Sequence, residues 1–398
     1  MNKLKILITF VLFFMLSKSL MAQQEPSHKF LLSGYGFTNL EIEGDNPAQF
    51  EIGFNPIFLW SINNNILFES ELEFEIEDNS TVVVIEYAQI MYIANAYMTL
   101  GAGKFLSPNN IFSERYHPAW INKIPNMPLG LSAHGSAQLL SGTQVGLQIR
   151  GGIPSGSMKF VYSLYVSNGP ALNIEDEEIH DTTGLLKTSK PGSSLNTITG
   201  EGGDGDHGVA ATGTLSFNNI PDNNSDKGIG GRIGFLPVPE LEIGYGFETA
   251  RVGTDDTEFS DVRSFNNVVD LSYVQDIKSL AGKLDIRSQF TWLNVDNPGI
   301  DHLNYKNNST AWYVQLAYQP YYIESSFIKN LELIARYDQI DLPQEAELST
   351  DQNRVTVGLN YWLNESTVVK FAYGNTTSKH KDGSESESSY IFQLAMGF

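Results

Sequence analysis

Apolar and polar residues alternate in short runs along most of this chain. Leu241, Ile243, Tyr245 and Phe247 share one parity, and Glu242, Gly244, Gly246 and Glu248 the other. Leu284, Ile286, Phe290 and Trp292 oppose Lys283, Asp285, Arg287 and Gln289. Val355, Val357, Leu359 and Tyr361 oppose Arg354, Thr356, Gly358 and Asn360. Strand side chains alternate between faces, so each run predicts a strand with one apolar and one polar or small face. The last residues, YIFQLAMGF, follow the same rule: Tyr390, Phe392, Leu394, Met396 and Phe398 form the large apolar face.

Strands are expected to begin near residues 29, 50, 65, 83, 96, 140, 157, 229, 240, 265, 280, 310, 328, 352, 366 and 388. Their links alternate in length. Short ones hold Ser61 to Asn64, Ala94-Asn95, Pro237 to Pro239 and Asn364 to Ser366. Long ones hold residues 106–139, 169–228, 251–264, 293–309, 341–351 and 376–387. Short turns at one end and long loops at the other predict an all-β fold, a transmembrane antiparallel β-barrel of about 16 strands. A hairpin in 209–218 would make about 18, but counting that piece as a single strand breaks the alternation, so it is read as loop. Trp60, Trp292, Tyr337, Trp362 and Tyr373 close strands, as aromatic girdles at two membrane interfaces would.

The N-terminus changes the picture. Lys3 and Lys5 precede an apolar run from Ile6 to Leu16, and Ala22 offers a small residue for cleavage. This pattern predicts a signal peptide over 1–22, too short to span a membrane as a helix. Residues 23–398 then form the barrel. The chain contains no cysteine, so disulfides contribute nothing to its stability. Its formal charge is −21, and the first 22 residues hold Lys3, Lys5 and Lys18 but no acid, so the remainder is more acidic still. That excludes a general nucleic-acid binder, which needs a basic footprint. Mean hydropathy is −0.19 with 12% aromatic residues, a combination a barrel produces because only alternate residues meet lipid.

The final strand, aromatic at Phe398 and apolar at alternate positions before it, reads as an assembly signal for the barrel assembly machinery of a Gram-negative outer membrane. Its backbone would be satisfied by closing against the first strand. The stretches GKFLSPNNIFSERYHPAWINKIPNMPLG (103–130), YSLYVSNGP (162–170) and GGRIGFLPVPELEIGYGFE (230–248) resemble the phosphate-selective porin-like family of outer-membrane porins. The resemblance implies a β-barrel, usually a homotrimer, with a long third loop folded inward as a constriction; residues 106–139 occupy that place. Phosphate channels of this kind line their path with Arg and Lys, whereas this chain is strongly acidic.

The sharpest local feature is FESELEFEIED, which puts Glu69, Glu71, Glu73, Glu75 and Glu77 on one face. Charges facing lipid are destabilising, so this face is expected to line the lumen, either as a merely solvated surface or as a cation-attracting stripe. Glu242 and Asp285 share the inward parity. So do the basic residues Arg232, Lys283, Arg287, Arg336, Arg354 and Lys370, which suggests a transverse field between an acidic and a basic wall. In the loop, Arg115, His117, Trp120 and Lys123 are candidate constriction residues. Arg115 reads either as a solute contact or as a pin paired with Glu114 or a wall carboxylate.

Asp204 and Asp206 lie in a Gly- and Asp-rich stretch without the spacing of a calcium loop. Asp206-His207 and Asp301-His302 are isolated pairs, and no spacing identifies a nucleophile, a metal set or a cofactor. The expected function is passive diffusion of small hydrophilic solutes and ions through a water-filled barrel. An anion or phosphate channel and a closed structural or adhesive barrel are the alternatives.

Overall fold

A computed structural model describes residues 29–77, 80–131, 138–172, 215–217, 220–257, 259–297, 306–343, 350–380 and 383–398. The signal segment, the Asp-His pairs and Asp204 lie outside them. The strands are β1 (Lys29–Glu43), β2 (Gln49–Ser61), β3 (Ile66–Glu77), β4 (Ser80–Asn95) and β5 (Met98–Leu106). A short helix, α1 (Ile111–Arg115), precedes β6 (Thr143–Ser155) and β7 (Met158–Ser167). Two very short strands follow, β8 (Ala171–Leu172) and β9 (Leu215–Ser216). The rest are β10 (Gly228–Val238), β11 (Leu241–Arg251), β12 (Arg263–Ile277), β13 (Gly282–Val295), β14 (Asn308–Gln319), β15 (Leu331–Asp341), β16 (Asp351–Asn364), β17 (Thr367–His380) and β18 (Gly383–Gly397).

Sixteen of these strands form one closed antiparallel barrel in chain order, while β8 and β9 pair separately. The piece around residue 215 therefore adds no barrel strand, as its loop reading implied. Closure joins β1 to β18 in register from Tyr35↔Gly397 to Glu43↔Ser389. Gly34 and Phe398 exchange both backbone hydrogen bonds, at 3.1 and 2.9 Å. The barrel itself therefore has no free edge strand.

Alternation decides which face meets the outside. On β18, Phe392 is 47% exposed and its neighbour Ile391 only 3%. The large apolar face thus points outward on all the alternating strands, and the inward face carries small and polar residues. No helix among the described residues is long and apolar enough to cross a membrane.

Two expectations need correction, and one strand departs from regular alternation. Residues 376–387 are mostly not loop: β17 and β18 stay paired up to His380↔Gly383. The polar run SESES is compatible with a strand that rises beyond the apolar belt, where neither face needs to be apolar. Trp362 does not belong to an outer girdle, because its indole donates to Glu332 inside the barrel at 3.2 Å. Tyr361, packed against Phe327 with ring centroids 5.4 Å apart, takes the outward place. Finally, β4 carries a bulge opposite Glu71/Leu72, so strict alternation fails at Glu86.

The apolar core is inside the barrel, beneath the long loop between β5 and β6. Phe112, Leu129, Leu131, Leu139 and Leu140 of the loop pack on Ala311, Tyr313 and Ile340 of β14 and β15. Ile124 forms a second cluster with Ala317, Ile334 and Ala372. The loop therefore fills one side of the lumen.

Candidate functional site: an inward loop and the passage beside it

The loop turns inward at a capped helix. Asn110 precedes α1, and its side chain accepts from Ser113 N at 3.3 Å, satisfying a donor that the first turn leaves free. At the loop base, Ser107 donates to Asn109 Oδ1 at 2.6 Å and Tyr165 donates to Glu248 at 2.6 Å; Gln144 bonds the same carboxylate. Further on, Gly130 has φ +76°, and a Cβ there would lie 2.7 Å from Ala311 Cβ. Only glycine combines that backbone with so close an approach to the wall.

The far wall holds the loop through its cations. Arg336 donates to Asn126 O at 3.0 Å and to Met127 O at 3.3 Å. Arg354 also reaches Met127 O, and Asp338 lies between the two guanidiniums, 3.1 Å from Arg336 and 2.8 Å from Arg354. Lys370 donates to Asn122 O at 2.5 Å and to Ala119 O. Arg287 forms a bidentate pair with Asp285, at 2.9 and 2.8 Å, and its guanidinium stacks 4.1 Å from the centre of the Tyr116 ring. Lys123, reaching from the loop, contacts Glu332 at 2.5 Å, with Asp285 at 3.9 Å. Trp120 packs on Gly397 of β18, where a Cβ would come within 2.8 Å of the indole.

These contacts change the picture of a bare basic wall. Arg232, Arg287, Arg336 and Lys370 do point inward, but all four are buried and paired or capped with carbonyls. Arg354 is mostly covered as well. Lys283 is exposed at the end of its strand. Parity tells which face a residue takes, but the cover supplied by a loop distant in sequence is a tertiary property.

The opposite side of the lumen stays open. A cavity of about 280 Å³ lies between α1 and the wall of β3, β4 and β6, lined by Glu69, Glu71, Tyr87, Gln89, Arg115 and His117. It shares Glu69, Glu114, Arg115 and Arg150 with a second cavity of about 460 Å³ toward the short-turn end. Glu69 and Glu71 thus line this cavity, although Glu71, beside His117, is only 1% exposed. Glu73 and Glu75 are half-buried higher on β3, and the side chain of Glu77 is outside the described residues.

Across this passage runs a chain of alternating charges. Arg150 pairs with Glu114 at 2.9 Å; Glu114 pairs with Arg115 at 3.2 Å; Arg115 pairs with Glu242 at 2.9 Å. Glu242 continues to Arg232 at 2.8 Å, and Arg232 forks onto Asp270 at 2.8 and 2.6 Å. Arg115 pins the loop to the wall through Glu242, and its side chain remains 35% exposed.

His117 sits at the centre of the loop, partly buried, with Nε2 4.0 Å from Glu71 Oε1 and Nδ1 on Ser113 O. Burial alone would lower its pKa, but the nearby charge of Glu71, with that of Glu86 and the bond to the Ser113 carbonyl, raises it above the ordinary value of 6.5.

Sequence reading missed Arg150, Glu114 as a bridge, Glu248, Asp270, Glu332 and Asp338. The strand residues among them all occupy inward parity, so a tally of inward charges on every strand would have found them.

No family model matches the sequence, and no curated protein is similar to it. Solved structures are similar in fold. OmpF of Salmonella typhi, in a complex with daunomycin, has a TM-score of 0.56 at 14% identity, covering 95% of this chain and 100% of that one. An anion-selective porin from Comamonas acidovorans has a TM-score of 0.55 at 11% identity, covering 94% and 100%. The trimer form of OmpT, an outer membrane protein of Vibrio cholerae, has a TM-score of 0.51 at 12% identity, covering 93% and 99%. The fold is that of outer-membrane porins.

Proposed function

We propose that this chain is a passive diffusion porin of a Gram-negative outer membrane. Small hydrophilic solutes and ions would cross down their gradients, without a cofactor, an energy source or an enzymatic step. The observation that carries the reading is the inward loop, tied to the far wall by Lys123–Glu332, Arg336 and Lys370, beside an open passage bordered by Glu69, Glu71, Arg115 and Arg150. A closed adhesive barrel has no need of a polar passage kept open beside a pinned loop.

Cation preference follows from the acidic stripe on β3 and the formal charge of −21, since rows of carboxylates favour cations. The basic residues expected to oppose it spend their charge on Asp, Glu and loop carbonyls. Phosphate selectivity rests only on the short sequence resemblance and on Arg115 and Arg150, and both guanidiniums are paired with Glu114. A homotrimer in outer-membrane lipid, assembled through the β18 signal ending at Phe398, is part of the same reading; it draws support from the trimer form of Vibrio cholerae OmpT.

Proteoliposome swelling tests the reading. Liposomes carrying the refolded protein should swell in sugars at rates that fall with solute size. Swelling no faster than protein-free liposomes would refute it.

A further inference from the structure

The larger cavity has an apolar flank that a general water-filled passage does not require. Leu67 shares the inward parity of Glu69, and Met91 and Ile93 share that of Gln89. Leu67 and Met91 are direct cross-strand partners, and all three side chains line the cavity. Barrel interiors of this kind are polar, and a contiguous apolar patch facing a cleft marks a binding surface. The volume, about 460 Å³, falls within the range of small-molecule sites.

Charges of both signs stand at the constriction end of the same cavity. Arg150 has five N–H donors available and gives one bond to Glu114 through Nη2; its side chain is 40% exposed. Arg115 is next to it. Glu69 accepts only long bonds, 3.5 Å from Tyr87 and 3.4 Å from Gln89, so its oxygens retain accepting capacity. A simple anion would meet Arg150 but also face Glu69; a simple cation would have the reverse problem. Like-charge contacts of that sort disfavour the wrong partner.

We propose that this cavity is a binding site for small zwitterions with an apolar side chain, that is, α-amino acids of the leucine or phenylalanine type. The carboxylate lies on Arg150 and Arg115, the ammonium on Glu69, and the side chain against Leu67, Met91 and Ile93. Access to the site rests on the porin reading above.

Two measurements on the refolded protein test this. Leucine added to single channels in potassium chloride should reduce the current in a saturable way. Glycine, which has the charges without the chain, and 4-methylpentanoate, which has the chain and carboxylate without the ammonium, should each be about fivefold weaker or worse. Arg150→Gln should weaken the leucine effect, and Leu67→Ser should narrow the gap between leucine and glycine. Equal potency of leucine and glycine in a conducting channel would overturn the site and leave the porin intact. Ligand-observed NMR with leucine on the detergent-solubilised protein separates the claims further. Binding without conductance would support the site and refute the porin; absence of any leucine signal would overturn the site.

Discussion

Lys123, in the middle of the inward loop, lies 2.5 Å from Glu332 on β15. Asn360 steadies both, donating to Lys123 O at 2.9 Å and to Glu332 Oε2 at 3.2 Å. Removing one member of a buried pair leaves the other charge uncompensated, at a cost of about 3–5 kcal/mol. Lys123→Met should therefore loosen the loop while the barrel stays folded. The expected result is larger and noisier single-channel current, with an unchanged folded band on a semi-native gel. Wild-type noise would show that the apolar clusters under the loop hold it without this pair.

The acidic stripe gives a second prediction. Replacing Glu69, Glu71, Glu73 and Glu75 with glutamine keeps size and one acceptor oxygen each but removes four negative charges from one wall. The reversal potential in a salt gradient should move toward anions. An unmoved potential would mean that the charges bordering the loop, not the stripe, set selectivity.

His117 makes the loop sensitive to pH. Its folded pKa is raised, so its contribution to loop stability is fully present below the unfolded value of about 6.5 and lost as pH rises through the raised folded value. Above that point the imidazole is neutral and no longer pairs with Glu71. Current noise should increase with pH across this window, and His117→Gln should abolish the dependence. The same pH profile in the variant would place the sensor elsewhere.

Barrel closure should be sensitive at Gly34. Its φ is +151°, and a Cβ there would lie 2.3 Å from Asn55 O. A β-branched residue is excluded by both facts. Gly34→Val should displace β1 from Phe398, lowering the fraction that refolds into a heat-modifiable barrel, whereas Gly36→Ala, 3.3 Å from Gly53 O, should have a smaller effect.

How far the molecule could be read from its sequence follows from the range of the forces involved. Alternation is local, so the number of barrel strands and the outward faces of strands such as Tyr390 to Phe398 were legible, whereas the polar start of β18 at Gly383, expected near residue 388, was not. Inward parity placed Arg232, Arg287, Arg336 and Lys370 correctly in direction. The burial of Arg336 and Lys370 was not legible, because the atoms that cap them, Asn126 O and Asn122 O, are far away in sequence and meet them only when the loop folds inward; Arg232 and Arg287 are held by wall carboxylates instead, Glu242, Asp270 and Asp285. The bulge at Glu86 was hidden for a related reason: an inserted residue changes the phase of β4 without leaving a composition signal. Aromatic character alone places Trp362 in the girdle, although its parity with Asn360 already points inward.

The measurement that tests the central claim most directly is planar-bilayer recording of the refolded protein, with the reversal potential read across a potassium chloride gradient and phosphate then added. A cation-preferring trimeric porin predicts current steps in threes, a potential on the cation side and no block by phosphate. Anion preference with phosphate block, or no conductance at all, would contradict it.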